Sequence, residues 1–373
     1  MSNIIKIGIE CENLEDEKTR WGVGHLTINL IESYIKNSFW HDKIELHLYF
    51  KSKIPRDPCL QNPILKKKIV KSFNSFNLFY HIFLPLKAQW DRIDVMFFPA
   101  YMLPPLYFKK TVVLLTEDVY YEYKYGKLPF RYRLAYRLFT NWAALKAWKI
   151  LAISNTSKKG VIKAYKVTEE KVFVSHLGVK RETSQDELVA RPYILYVGQM
   201  FSRRSAKEAI LAFERIANKF PDLKLVMVGR DKYEPPIISD LVKRVNQDLG
   251  KERVIHYDYL ENDDDIVRLY SHASLFVYIS SREAFGLPPV EATAQGVPVV
   301  VKENELNHEL FGNSAFFVHD EKNVEEISSV LSEGLTNIEK REAMKREYGK
   351  ISDKFNWDKF ANTFFKSIYD EMA

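Results

Sequence analysis

The sequence predicts an α/β protein built from two doubly wound parallel sheets in succession, and three observations carry that expectation. A chain of 373 residues exceeds what a single core usually organises, so length alone implies two domains. Short β-type apolar runs alternate with helix-period stretches along the chain, the pattern of parallel strands covered on both faces. The two halves also differ in charge. Residues 1–180 carry 29 Lys and Arg against 16 Asp and Glu, a net of +13, whereas residues 181–373 carry 26 against 33, a net of −7.

In the first half, "IIKIGI" (4–9), "IELHLYF" (44–50), "IDVMFF" (93–98), "TVVLLT" (111–116), "KILAIS" (149–154) and "KVFVSH" (171–176) read as strands, with helices at 24–36 and 131–147 among the segments between them. In the second half, the strands are "YILYVG" (193–198), "LKLVMVG" (223–229), "VIHYDY" (254–259), "SLFVYIS" (274–280) and "VPVVV" (297–301). Ser205 and Glu208 have capping-box spacing before a helix marked by Ile210, Phe213, Ala217 and Phe220, and Asn262 is placed to cap "NDDD". The polar stretch 178–192 reads as the linker. The amphipathic tail 353–372 reads as a final helix. The expected divisions are therefore 1–178, 179–352 and 353–373.

Composition narrows the function classes. With 46% hydrophobic and 28% charged residues the chain is globular, which excludes disorder. Two cysteines, Cys11 and Cys59, provide neither a disulfide framework nor a Cys-based metal site, which fits a reducing cytoplasm. The N-terminus "MSNIIKIGIE" lacks a signal-peptide core, and no run approaches the roughly 20 apolar residues of a membrane span. The excess positive charge of the first half calls for an anionic partner there.

Ligands of doubly wound sheets bind beyond the carboxyl ends of the strands, so the loops after strands hold the candidates. In "SSREAFGLPPVEATAQGVPVVV" (280–301), Glu283 and Glu291 flank an apolar loop, and Pro289 suits the first position of a helix. Loop amides near a helix N-terminus form an anion site, and the two carboxylates can accept hydrogen bonds from hydroxyls. A sugar nucleotide, with phosphates between polyols, satisfies both. After strand 193–198, Arg203 and Arg204 stand at the mouth of a helix, placed to neutralise a diphosphate. In "RWGVGH" (20–25), Gly22 and Gly24 permit close backbone approach. The third glycine of a dinucleotide fingerprint is missing, so a nicotinamide cofactor is not supported. Glu117 and Asp118 follow strand 111–116 where a ligand would pass.

These pieces, in this order, resemble the family 4 glycosyltransferases of the GT-B fold. The resemblance rests on "WGVGH", "LAISNTSKKGVIKAY" with "KVFVSHLGV", "YILYVGQMFSRRSAKEAILAF" and, most specifically, "REAFGLPPVEATAQGVPVV". It implies two Rossmann-like domains facing across a cleft, with a C-terminal helix returning to the first. It also implies retaining transfer from a nucleotide sugar, with no metal and no separate cofactor. Glu283 would bind donor-sugar hydroxyls, with help from Phe285, Gly286 and Leu287, and Glu291 would hold the ribose. Arg203 and Arg204, near Gly198, would bind the diphosphate, which Gly22 and Gly24 would border from the other domain. Where the family has His-Asp, this chain has Glu117-Asp118, so Glu117 is a candidate for the histidine's contact with the sugar. Arg204 replaces a lysine, and Ala284 replaces a frequent glycine.

The mechanism implied is front-face attack, the acceptor hydroxyl passing its proton to a leaving-group phosphate oxygen. The expected donor is a GDP-, UDP- or dTDP-linked hexose or deoxyhexose, with "FGLPP" leaning toward mannose or a deoxysugar by resemblance. The expected acceptor is a glycan or lipid-linked chain in cell-surface polysaccharide synthesis. Basic and aromatic residues interleave at 50–83 and 130–149, which suits an anionic membrane surface and a cytoplasmic protein peripheral to it. A sugar-nucleotide epimerase of the same fold and a basic nucleic-acid or membrane module are the alternatives. The Glu-flanked loop disfavours the first. The second is disfavoured because the diphosphate-type loops lie in the acidic half, and nucleic acid is not an expected partner.

Overall fold

The computed structural model describes residues 4–16, 22–73, 75–117, 120, 121, 124, 129–260 and 262–373. The chain divides into two compact units, residues 1–178 with 356–373, and residues 179–355.

The first unit is built on a seven-stranded parallel sheet. Its strands are β1 (Ile5–Glu10), β2 (Ile44–Phe50), β3 (Lys66–Ile69), β4 (Val95–Phe98), β5 (Lys110–Leu114), β6 (Lys149–Ala152) and β7 (Val172–Val174). Their spatial order is β3-β2-β1-β4-β5-β6-β7. The central strands are buried on both faces, which is why they read as near-continuous apolar runs. β3 was not legible in the sequence because its residues are "KKKI". It pairs through its backbone at the sheet edge, His47 opposite Lys66 through Phe50 opposite Ile69, and lysines suit an exposed edge. The helices at Val23–Lys36 and Phe130–Lys146 match expectation within a residue or so, whereas the helical segment 76–90 and the helix Asn155–Tyr165 were not foreseen.

The final helix, Trp357–Tyr369, belongs to this first unit, where it buries Phe360, Phe364, Phe365 and Ile368. Phe364 meets the ring of Phe97 with centroids 4.8 Å apart. Asn362 accepts a hydrogen bond from Trp40 Nε1 at 3.1 Å, and the Phe360 carbonyl accepts one from Ser175 Oγ at 2.8 Å. Gly178 admits the tail: a Cβ there would lie 2.2 Å from the Trp357 nitrogen.

The second unit holds a six-stranded parallel sheet of β8 (Tyr193–Val197), β9 (Lys224–Val228), β10 (Val254–Tyr257), β11 (Leu275–Tyr278), β12 (Val299–Lys302) and β13 (Phe316–Val318). The order is β10-β9-β8-β11-β12-β13, the doubly wound arrangement, with β8 and β11 at the switch point. β8 and β11 are in register with Leu275 opposite Ile194 and Phe276 opposite Leu195. Asn262 caps the helix Asp263–His272 as expected, accepting from the Asp264 nitrogen at 3.0 Å. The Ser205 capping box does not form. Ser205 is left-handed (φ +49°), and an N-cap that bonds its own helix needs extended backbone. Lys322 Nζ takes up the groups instead, donating to Glu208 Oε1 at 2.7 Å and to Ser205 Oγ at 3.3 Å.

Candidate active site

The switch point of the second sheet brings together two loops that are far apart in sequence. The loop after β8 turns at Gly198 (φ +137°), where a Cβ would meet the Tyr278 ring at 3.3 Å and Arg204 Nη1 at 3.4 Å. It ends in a tight turn, Ser202–Arg204. The loop after β11 lies against it: the Ser281 nitrogen and Oγ donate to the Arg203 carbonyl at 2.9 and 3.2 Å.

Arg204 and Glu283 close this junction. Arg204 Nε donates to Glu283 Oε1 at 2.6 Å and Nη2 donates to Oε2 at 3.2 Å, while Nη1 donates to the Gln199 carbonyl at 3.1 Å. Such a fork is the geometry in which guanidinium and carboxylate bind most strongly. Tyr278 and Ser280 face the same side of β11 and its extension, two residues apart, and both hydroxyls donate to Glu283 Oε1, at 2.8 and 3.0 Å. Burial pushes the Glu283 carboxyl up. The adjacent Arg204 outweighs this, aided by Arg203 and the Tyr278 bond, and holds it below the usual carboxylate range. Burial, and next the charge on Glu283, push the Tyr278 phenol up, so it stays a donor. The Arg203 guanidinium lies 4.6 Å from the ring centre of Phe201.

The apolar loop is anchored by Phe285, which is buried and meets Phe355 edge-on with centroids 5.5 Å apart. Gly286 (φ +82°) then caps the helix Leu287–Ala294. The helix therefore begins two residues before Pro289, the position the sequence pointed to. Leu287, Pro288 and Pro289 occupy its first three positions, where helical N–H groups have no carbonyl partner and proline costs little. Glu291 falls beyond the first turn. Its Oε2 accepts from Tyr270 OH at 3.0 Å, and burial pushes its carboxyl up against the opposing pull of that bond. Asn304 and Asn307, which sequence reasoning missed, line a small pocket with Glu283 and Gly286. Tyr270 and Tyr278 were missed too, because a strand or helix tyrosine reads as core until its hydroxyl is located.

In the first unit, Gly22 (φ +36°) caps the helix Val23–Lys36 and Gly24 is buried in its first turn, in a groove also lined by Glu12, Glu15 and Lys51. Glu117 is buried, and its Oε2 accepts from Ser157 Oγ at 2.6 Å at the start of the helix Asn155–Tyr165. A Cβ on Gly160 would lie 2.8 Å from Glu117 Cγ, so the acid is wedged against that helix, at the end where its dipole favours negative charge. The sequence put this carboxylate in a ligand's path; the structure engages it with the protein. Asp118 lies outside the described residues. Among the described residues, no three His, Cys, Asp or Glu side chains are grouped to hold a metal.

Glu10, at the end of β1, is 3% exposed and accepts from the Glu12 nitrogen at 2.7 Å. Burial, with Glu12 and Glu15 nearby, pushes its carboxyl up to about 8. A group whose folded-state value is raised contributes stability that is full below its ordinary value. That contribution declines as pH rises toward the folded value. Melting temperature is therefore expected to fall between pH 4.5 and about 8 on this account, and Glu10→Gln should flatten that slope. An unchanged slope in Glu10→Gln would refute the assignment.

Two Rossmann-like units, each with its crossover at the same place in the strand order, define the GT-B fold. Two solved structures show the same architecture over the full chain. WaaG, a glycosyltransferase involved in lipopolysaccharide biosynthesis, aligns with a TM-score of 0.68 at 15% identity, over 96% of this chain and 98% of that one. Anabaena Alr3699/HepE, solved in complex with UDP and glucose, aligns with a TM-score of 0.68 at 16% identity, over 98% of this chain and 100% of that one. Residues 180–350, most of the second unit, match the family described as glycosyl transferases group 1.

The O-antigen chain mannosyltransferase RfbU of Salmonella typhimurium is 24% identical over 209 residues, 54% of this chain. The O-antigen chain mannosyltransferase B of Escherichia coli is 25% identical over 225 residues, 56% of this chain. In both cases the chain spans 57% of the relative's length. No helix among the described residues is long and apolar enough to cross a membrane.

Proposed function

We propose that the protein is a glycosyltransferase that takes a sugar from a nucleotide-sugar donor bound in the second unit and passes it to a glycan or lipid-linked acceptor. The observation that carries this reading is the Arg204–Glu283 fork at the switch point of the second sheet, with the Gly286-capped helix beside it. Arg204, Arg203 and the N-terminus of the helix Leu287–Ala294 neutralise the donor's diphosphate. Glu283, steadied by Tyr278 and Ser280, accepts hydrogen bonds from sugar hydroxyls, and Glu291, steadied by Tyr270, accepts from the ribose.

In the transfer, the acceptor oxygen bonds to the anomeric carbon as the bond to the diphosphate oxygen breaks on the same face. The acceptor's proton moves to a leaving phosphate oxygen, which gives retention. On this reading the arginines and helix amides balance the leaving charge without a metal. The names of the relatives favour a mannosyl donor and a role in O-antigen or related surface polysaccharide synthesis.

The test is a panel of GDP-, UDP- and dTDP-sugars in thermal shift, followed by transfer assays with and without EDTA and determination of the product's anomeric configuration. One donor class should raise the melting temperature and yield a retained product in EDTA. No shift from any nucleotide sugar would overturn the reading, and release of an altered nucleotide sugar without acceptor would replace it with epimerisation.

A further inference from the structure

The loop after β12 completes the wall of the small pocket beside Glu283, and the proposed chemistry gives it no part. Asn304 comes from this loop and Asn307 from the first turn of the helix that follows it. β12 is the neighbour of β11 in the sheet, so the strand order sets the two loops side by side at the same carboxyl end.

One end of each amide is engaged by the backbone. Asn304 Oδ1 accepts from the Asn307 nitrogen at 2.8 Å, and Asn307 Nδ2 donates to the Lys302 carbonyl at 2.7 Å. These bonds fix which way each amide faces, because only its oxygen can accept from an N–H and only its NH₂ can donate to a carbonyl. What remains is a donor, Nδ2 of Asn304, and an acceptor, Oδ1 of Asn307. Neither atom has a hydrogen-bond partner among the described residues. Asn307 is only 8% exposed, so its free oxygen has little water to turn to.

The rest of the lining narrows what can pair with them. Glu283 brings a carboxylate, which only accepts, while Phe285 and Leu306 are buried apolar walls. The cavity is about 10 Å³, room for one water-sized group. A group that satisfies both asparagines must accept one hydrogen bond and give one. An alcohol does both. A C–H in its place does neither, an ether oxygen cannot donate, and an acetamido group is too large.

We propose that Asn304 and Asn307 are specificity residues that read one hydroxyl of the donor sugar, next to the hydroxyls that Glu283 accepts from. Asn304 Nδ2 donates to that hydroxyl, and Asn307 Oδ1 accepts the bond it gives in return. The pocket thereby selects a hexose with a free hydroxyl at this position over the deoxy and acetamido sugars that share its ring. A deoxy position would leave both amide ends unpaired in the complex, and a site built to pair a hydroxyl strongly rejects the analogue without it. The inference rests on the preceding reading, and it narrows the donor by one required hydroxyl.

The experiment is thermal shift and transfer kinetics on the full chain. The probes are GDP, UDP and dTDP, then GDP-mannose, UDP-glucose, UDP-galactose and dTDP-glucose, then the monodeoxy forms of the hexose that binds. One monodeoxy form should lose about 10²-fold or more in kcat/KM. Asn304→Ser and Asn304→Asp both keep an oxygen for the helix cap but lack the Nδ2 donor. In either variant the intact hexose should fall about tenfold while that monodeoxy form falls little, so the ratio between them shrinks by about tenfold. The melting temperature without ligand, and its shift with nucleotide alone, should stay at the wild-type values, which a merely structural role for Asn304 would not allow. No shift with any nucleotide or nucleotide sugar would overturn the donor reading, and this inference with it. Three results would overturn the inference alone: nucleotide binding that no hexose improves, equal use of the hexose and all its monodeoxy forms, or a hexose-to-deoxy ratio unchanged in both Asn304 variants.

Discussion

Glu283→Gln is expected to lower the rate of sugar transfer by about 10²- to 10³-fold and to lower the melting temperature as well, because it leaves the Arg204 guanidinium, 17% exposed, without its counter-charge. Glutamine keeps the shape of the side chain and the oxygen that Arg204 Nε, Tyr278 and Ser280 donate to, but it turns an amide NH₂ toward Arg204 Nη2, itself a donor, so one arm of the fork is lost. The variant loses the negative charge and one acceptor oxygen, which are the properties the proposed chemistry needs at the sugar. Arg204→Ala removes the other partner of the same pair. It leaves the Glu283 carboxylate, only 15% exposed, without its partner, so stability and activity should both fall. Arg204→Lys keeps charge but not the fork, and should cost less stability than either. Steady-state transfer assays alongside thermal unfolding read all three. A Glu283→Gln enzyme with wild-type turnover would remove Glu283 from the site.

The second large effect is expected at a position with no chemistry of its own. Gly229 follows β9 with φ at +140°, and a Cβ there would lie 2.1 Å from the carbonyl oxygen of Gly198 and 2.6 Å from its carbon. Those atoms are backbone and cannot swing aside, so Gly229→Ala must displace the strand that ends in the arginine loop. Strained backbone and forced displacement together should cost about 3 kcal/mol. Gly250 makes the comparison: its φ is +68°, but nothing lies within 4 Å of a Cβ there. Gly250→Ala should therefore cost only the left-handed preference, about 1 kcal/mol. Chemical denaturation of both variants, with nucleotide-sugar affinity measured in parallel, is the check. Equal destabilisation of the two would show that the close approach of Gly229 to Gly198 does not constrain the fold.

Strand positions were legible because parallel strands covered on both faces are unbroken apolar runs, as "LFVY" and "VMFF" show. β3 was hidden because edge pairing uses the backbone and leaves the side chains free to be lysines. The helical segment 76–90 escaped for a related reason. With apolar residues on its buried and its exposed faces, it has no clean period to read. At the site, the paired arginines and the "EAFGLPP" loop were visible as residue types after strands. The bond between Arg204 and Glu283 was not, since 79 residues separate them and only the strand order makes them neighbours. Glu117 shows the converse. Its place after β5 was readable, but the small residue at Gly160 that gives it room against the helix was not.

On the proposed reading, the mutual engagement of Arg204 and Glu283 has a bearing on which molecules can settle there. An incoming anion that offers only phosphate would strand Glu283, and a free sugar that offers only hydroxyls would strand Arg204. On that reading a donor carrying both replaces each lost bond at once, and the site would discriminate by requiring two simultaneous substitutions. After transfer, the departing nucleotide lacks the sugar half of that exchange. On the proposed reading, the pair would then re-form and help expel it, which would make the same contact a device for product release.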